Sequence, residues 1–222
     1  MLLRNYERDI QNTRALNEEL GLTFDLGVLE GGSEPEFLRV VDWISKYILA
    51  TQKDVRTLCS NCINEHLDLK FKLEHFLGMK TLITIGDVHI DGVSLYSPTK
   101  ESLQAELDDP ITSPEQARDF NGHVWLTTST FGILDMVLPA KLMAKYGQAE
   151  HYADELVLYV EDEVYPTSVR VKNANKGVLK YKSPNDRFFK VRFEPMLVGA
   201  EYLLKSDTYL SLTPHLKGST KT

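Results

Sequence analysis

Two side chains in the segment NGHVWLTTSTFGILDMV have the chemistry of a general base and its orienting partner. The segment is typical of two short strands joined by a turn, with His123 on one arm and Asp135 on the other. If the turn centres on Ser129, residue 123 lies opposite residue 135, and opposed side chains share a face with Cβ atoms about 5 Å apart. A carboxylate that accepts the imidazole N–H fixes the histidine tautomer and stabilises the imidazolium. The segment therefore predicts a His–Asp pair, which serves either in catalysis or as a structural hydrogen bond.

A thiol is the third group that such a pair activates, and Cys62 is the thiol best placed to supply it. Residues 55–77 have apolar side chains at helical spacing, with one stripe formed by Cys62, His66, Leu69, Leu73 and Phe76. A cysteine in the first turn of a helix, beside a protonated histidine, has a lowered pKa and attacks carbonyl carbons. Cys62 lies near the start of the predicted helix, so it is either an activated nucleophile or a small buried core residue.

The ordered set of these motifs resembles the transglutaminase-like branch of the papain-like superfamily. In that family a cysteine begins a core helix, a Leu-Gly and a strand follow, and then come a strand with His-x-Trp and a strand with an aspartate. Here Cys62 is followed by Leu77-Gly78, a strand, His123-Val-Trp125 and Asp135, over residues 55–140. The resemblance implies a Cys62 nucleophile, a His123 base and an orienting Asp135, acting on an amide or acyl bond. Resolution by water would make the protein a hydrolase, and resolution by an amine would make it an acyltransferase.

Substrate contacts are expected beside these three groups. Trp125 either forms the roof of the site or packs in the core. The backbone N–H of Cys62 is the general candidate for an oxyanion donor, and Asn61 and Gln52 are the side-chain candidates. We expect a peptide, protein or small amide substrate, and no cofactor.

Metal and redox chemistry are the competing interpretations. Cys59-x-x-Cys62 with His66 is a possible three-ligand metal cluster, but a structural zinc site takes four ligands. A thioredoxin-like redox motif would need the cysteine pair directly after a strand. Asp87 and His89 resemble the Asp-x-His ligands of binuclear phosphoesterases, although the downstream motifs of those enzymes are missing. A further alternative is a catalytically inactive fold of the same type that serves as a binding module.

The order of the predicted elements indicates an α+β fold. We expect a single domain over residues 1–222, with N-terminal helices at 1–54, a Cys-His-Asp core at 55–147 and a strand-rich extension with a C-terminal helix at 148–222. The resemblance implies a papain-like (transglutaminase-like) core, with the Cys-bearing helix packed on an antiparallel sheet. Single helices are predicted over 4–20, 36–50 and 55–77, and a last helix over 195–206.

Composition excludes several classes of partner. The formal net charge is −7 and no basic stretch dominates, which argues against a nucleic-acid partner. No run of about 18 apolar residues is present, so no membrane span is expected. The N-terminus becomes charged too early for a signal peptide, which favours a cytoplasmic location. The oligomeric state stays open.

Overall fold

An antiparallel sheet carries the segment that contains His123 and Asp135. The computed structural model describes residues 5–22, 26–29, 39–40, 42–44, 46–47, 62–90, 92–109, 121–128, 133–138, 141, 155–159, 167–170, 179–180 and 191–199. Within these residues the structure has eight strands: β1 (Thr81–Ile90), β2 (Val93–Ser94), β3 (His123–Thr128), β4 (Ile133–Asp135), β5 (Glu155–Tyr159), β6 (Thr167–Arg170), β7 (Leu179–Lys180) and β8 (Val191–Val198).

The long strand β1 organises this sheet. The strands follow the order β2-β1-β3-β4-β5-β6-β7, and β8 also pairs with β1. Residues 84–86 of β1 pair with both β3 and β8, so these two strands must lie on opposite sides of β1. All of the pairings are antiparallel, and helices accompany the sheet, which confirms the predicted α+β class.

The helices agree in part with the sequence prediction. They are α1 (Asn5–Asn12), α2 (Arg14–Glu19), a 3-10 helix (Leu26–Leu29), α3 (Cys62–Leu77) and α4 (Lys100–Asp108). Residues 4–20 do not form the predicted single helix, because it is interrupted at Thr13, whose hydroxyl donates to Ile10 O at 2.8 Å. Helical residues at 39–40, 42–44 and 46–47 lie inside the predicted 36–50 helix. No described helix is long and apolar enough to cross a membrane.

Helix α3 ends where the sequence predicts. Gly78 has a φ of 65°, a left-handed conformation that a residue without a Cβ adopts at low cost. Residues 51–61 lie outside the described part of the chain, so the predicted start of this helix at 55 is not covered. Within the described residues Cys62 is the first residue of α3.

The predicted C-terminal helix over 195–206 is wrong for the residues that the structure describes. Residues 195–198 belong to β8, and residues 200–206 lie outside the described residues. The pairing of β1 with β8 shifts between Ile85↔Leu197 and Gly86↔Pro195, which leaves Met196 as an extra residue in β8. The Asn17 side chain stabilises this irregular strand, because it donates to Met196 O and accepts from Val198 N, both at 3.1 Å.

The two faces of the sheet pack against different helices. Strand side chains alternate between faces, so the register places Ile85 and Val124 on one face and Gly86 and His123 on the other. The first face contacts α3 in a core cluster that includes Ile83, Ile85, Val124, Leu126, Leu69 and Leu73. On the second face, Tyr6 of α1 accepts a hydrogen bond from Trp125 Nε1 at 2.7 Å. The predicted His–Asp hairpin is thus held between α3 and α1.

Candidate functional site

His123 and Asp135 are in direct contact. His123 Nε2 donates to Asp135 Oδ2 at 2.5 Å, and both side chains are 0% exposed. His123 begins β3 and Asp135 ends β4, two strands that pair with each other. The predicted His–Asp pair is therefore present, while its catalytic role stays a prediction.

The register of this hairpin differs from the predicted one. Leu126 lies opposite Leu134 and Thr127 opposite Ile133, so continuation of the same register places residue 135 opposite residue 125 rather than 123. The expected direct opposition of 123 and 135 is wrong, and the contact is diagonal. A shift of two residues leaves a side chain on the same face of a strand, so the error in the predicted register does not prevent the contact between His123 and Asp135.

Both carboxylate oxygens of Asp135 accept hydrogen bonds. Its Oδ1 accepts the backbone N–H groups of Val137 at 2.8 Å and of Leu138 at 3.0 Å. Burial raises the pKa of the Asp135 carboxyl, but the hydrogen bond from His123 and the positive charge of the His123 ring when it is protonated outweigh burial and hold the pKa well below its usual range. The site therefore contains a buried carboxylate whose orientation is fixed from two sides.

Aromatic rings surround His123. The Tyr96 ring stacks on it with centroids 5.5 Å apart and an interplanar angle of 11°, and Trp125 and Phe193 lie at 6.1 and 6.3 Å. Burial lowers the pKa of His123, and the charge of Asp135 opposes this shift only in part. Burial thus favours the neutral form of the ring, whose Nε2–H is directed at Asp135.

The second ring nitrogen of His123 is left open. Its Nδ1 is buried and has no hydrogen-bond partner among the described residues. Because Nε2 donates to Asp135, Nδ1 carries the lone pair of the neutral ring. A buried acceptor without a partner is uncommon, and this one has the chemistry of a general base.

A second histidine, His66 of α3, also reaches Asp135. Its Nδ1 donates to the backbone carbonyl of Cys62 at 2.7 Å, and its Nε2 accepts from the backbone N–H of Met136 at 3.3 Å. Asp135 Oδ1 lies 3.3 Å from the same Nε2, and all of the His66 side chain is buried. The sequence placed His66 on the Cys62 stripe but gave no signal for its contact with β4, because that contact joins residues far apart in the chain.

The thiol of Cys62 lies on the other side of the sheet from His123. Cys62 is 6% exposed and belongs to the core cluster that α3 forms with Val124 and Leu126. The neighbouring residue His123 points to the opposite face, where it stacks with Tyr96. His123 Nδ1 accepts no hydrogen bond from the Cys62 thiol in this structure, and the backbone carbonyl of Cys62 is linked to Asp135 through the His66 ring.

The other expected site residues have different outcomes. Trp125 is completely buried beside His123 and donates its indole N–H to Tyr6. Asn61, Gln52 and Cys59 lie outside the described residues.

The groups considered as metal ligands have other partners. Asp87 accepts from the backbone N–H groups of Val88 at 2.7 Å and Tyr96 at 3.1 Å, and from the Ser94 hydroxyl at 2.5 Å. His89 Nε2 lies 2.8 Å from a Glu194 carboxylate oxygen. In the described part of the chain, no group of three or more His, Cys, Asp or Glu side chains is arranged to hold a metal ion.

Comparison of the chain with protein-family models, with curated proteins and with solved structures found no match. The resemblance to the transglutaminase-like branch therefore stays a prediction that depends on the order of its motifs and on the geometry of this site.

Proposed function

We propose that this protein is a cysteine-dependent hydrolase or acyltransferase that acts on an amide or acyl bond. Its core would be papain-like, with α3 packed on the sheet, Cys62 as nucleophile, His123 as base and Asp135 as the group that orients His123. The observation that supports this proposal best is the buried His123–Asp135 pair, in which Nε2 is held at 2.5 Å and Nδ1 is left open. A peptide, protein or small amide is the proposed substrate, and a cytoplasmic location is part of the same proposal.

The proposed reaction proceeds in two acyl transfers. His123 Nδ1 takes the proton of the Cys62 thiol, and the sulfur attacks the carbonyl carbon of the substrate. When the tetrahedral intermediate collapses, the bond from carbon to the leaving group breaks, and the leaving group takes the proton from His123. The remaining thioester is then attacked by water, which completes hydrolysis, or by an amine, which completes transfer. His123 removes the proton of this second nucleophile and returns it to the sulfur.

The proposal requires the sulfur of Cys62 to reach His123 Nδ1 in the reacting state. In the structure Cys62 belongs to the core cluster on the α3 face of the sheet, whereas the His123 ring lies on the opposite face. The first turn of α3 must therefore shift relative to β3 and β4, or the side chain of Cys62 must be redirected at the end of the sheet. Catalytic contacts are often longer without substrate than in the reacting complex.

The pH dependence of thiol alkylation tests this proposal. We would measure the rate of iodoacetamide reaction in a Cys59→Ser background, so that Cys62 is the single thiol. An activated thiol reacts well below the ordinary cysteine pKa of about 8.5. His123→Ala should return the rate profile to that ordinary value, while His75→Ala, which removes an exposed histidine at the end of the same helix, should leave it unchanged.

A non-catalytic binding module is the second candidate function, and the burial of the site favours it. His66, His123 and Asp135 are all 0% exposed, and such a network can serve to fix the relative position of α3 and the hairpin. Under this alternative Cys62 has an ordinary alkylation profile that does not change in His123→Ala. The same experiment therefore separates the two candidates.

A further inference from the structure

His66 makes the contacts that connect the helix of Cys62 to the strand of Asp135. Its ring joins the first turn of α3 to the residue that directly follows β4: Nδ1 donates to Cys62 O at 2.7 Å, and Nε2 accepts from Met136 N at 3.3 Å. Both of these contacts are to backbone atoms, and the ring is completely buried. Each contact therefore constrains the position of a main chain and not only that of a side chain.

We propose that His66 is a positioning residue that sets the placement of Cys62 relative to the His123–Asp135 pair. This inference rests on the proposed function, because it assigns His66 a part in the activation of the same thiol. His66 contacts neither the sulfur nor the substrate in this role. It acts through the backbone carbonyl of Cys62 and through the backbone of Met136, next to Asp135.

The contact with Cys62 is additional to the ordinary bonding of a helix. In an α-helix the carbonyl of residue 62 accepts the backbone N–H of residue 66, so the His66 ring adds a second donor to the same oxygen. A side chain that bonds back to the preceding turn in this way bends a helix locally. The ring therefore constrains the orientation of the peptide group of Cys62, the residue that carries the proposed thiol.

The contact with Met136 provides an acceptor for a buried backbone N–H next to Asp135. Met136 is 2% exposed, and its N–H follows directly after the Asp135 residue that orients His123. A buried N–H without an acceptor is destabilising, so removal of the ring nitrogen should displace this backbone. Asp135 Oδ1 lies 3.3 Å from the same nitrogen, so a movement here changes the surroundings of the carboxylate.

Two substitutions each remove one of the two hydrogen bonds that the His66 ring makes. His66→Asn places its amide near the position of Nδ1, so it can keep the donor to Cys62 O while losing the acceptor for Met136. His66→Gln places its amide near the position of Nε2, so it can keep the acceptor while losing the donor. Each variant loses one of the two hydrogen bonds of the ring, so in both variants the link between α3 and the residue after β4 should be broken. His75→Gln is the matched control, because His75 is an exposed histidine of the same helix.

The readout is the apparent pKa of the Cys62 thiol, taken from the pH profile of alkylation in the Cys59→Ser background. We expect this pKa to rise towards its ordinary value in both His66 variants, and each tenfold loss of thiolate should slow alkylation near neutral pH roughly tenfold. The His75→Gln profile should coincide with that of the parent. A purely structural role would lower the urea midpoint of the His66 variants and leave the thiol pKa where it was, and this result would overturn the inference.

A second measurement uses the parent protein and does not depend on the folding of any variant. The ¹⁵N shifts of the histidine rings report which nitrogen of His66 carries the proton. Protonation of Nδ1 with an unprotonated Nε2 is the expected tautomer, and the opposite tautomer would overturn the inference. A parent protein whose thiol has an ordinary pKa would instead overturn the proposed function, so failure of that function and failure of the His66 inference are distinguishable.

Discussion

Asp135 Oδ2 accepts a hydrogen bond from His123 Nε2 at 2.5 Å, and neither side chain is exposed to solvent. This contact assigns the tautomer of His123, since a neutral ring that donates from Nε2 keeps its lone pair on Nδ1. It also explains why two strand residues that are diagonal in register are held together: Oδ1 is already fixed by two backbone N–H groups, which leaves Oδ2 directed at the ring.

The first prediction concerns Asp135→Asn. The amide oxygen should keep the N–H groups of Val137 and Leu138, so the NH₂ group faces His123 Nε2 and forces the proton onto Nδ1. We expect a loss of about 1–3 kcal/mol in the free energy of unfolding by urea, because charge-assisted bonds are replaced. We also expect the reversed His123 tautomer in ¹⁵N spectra. Asp108→Asn, on an exposed helix end, should change stability by less than about 0.5 kcal/mol; equal losses in the two variants would contradict the prediction.

The second prediction is a pH dependence of stability that originates at His123. A histidine whose pKa is lowered by folding binds its proton more readily in the unfolded chain, so stability falls as the pH drops below the ordinary value of 6.5. The lowered pKa of Asp135 acts in the same direction, because its stabilisation is present above 3.8 and is lost as the pH falls further.

His123→Gln isolates this effect. Glutamine can donate to Asp135 from a position close to that of Nε2 but does not titrate. We expect the variant to lose a slope of at most about 1.4 kcal/mol per pH unit in the range just below pH 6.5. Urea unfolding at a series of pH values measures this slope. The exposed His75→Gln variant should retain it, and an unchanged slope in His123→Gln would assign the pH dependence to another group.

The third prediction concerns Gly86, which lies opposite His123 in β1. A Cβ at this position would lie 2.0 Å from Glu194 O and 2.9 Å from a ring carbon of Trp125. Gly86→Ala should therefore cost about 1–3 kcal/mol or more, because backbone and a buried ring must move. Gly92→Ala is the comparison: its φ of +81° is strained for alanine, at about 1–2 kcal/mol, but nothing lies within 4 Å. Urea unfolding should rank Gly86→Ala as the more damaging change, and the reverse order would count against the close approach of β8.

The fourth prediction concerns Tyr96, whose ring covers His123 at 5.5 Å. Tyr96→Ala should increase the rate at which diethyl pyrocarbonate modifies His123, and it should remove about 0.5–1.5 kcal/mol of ring–ring stabilisation. Tyr96→Phe keeps the ring, so diethyl pyrocarbonate should modify His123 in this variant at the parent rate. The backbone bond from Tyr96 N to Asp87 is available in both variants. Modification rates come from mass spectrometry of the peptide that contains His123, and equal rates in the two variants would show that the ring does not control access.

Local patterns were sufficient to predict much of the fold around the site. The apolar stripe at helical spacing predicted α3 as far as residue 77, and strands were predicted after Gly78 and at His123, where β1 and β3 lie. The pairing of His123 with Asp135 was also readable, because the two residues are close in sequence and a two-residue error in register does not change their face. These features depend on contacts between near neighbours in the chain.

The sequence alone therefore determined the α+β class and the His–Asp pair, while the tertiary structure decided three other matters. It decided that residues 195–198 form a strand, because β1 and the distant Asn17 satisfy their backbone groups. It decided that the thiol of Cys62 and the ring of His123 lie on opposite faces, because α3 packs on the face of Val124. It also brought His66 to Asp135. Each outcome depends on contacts between segments far apart in the chain, which no local pattern of residue types encodes.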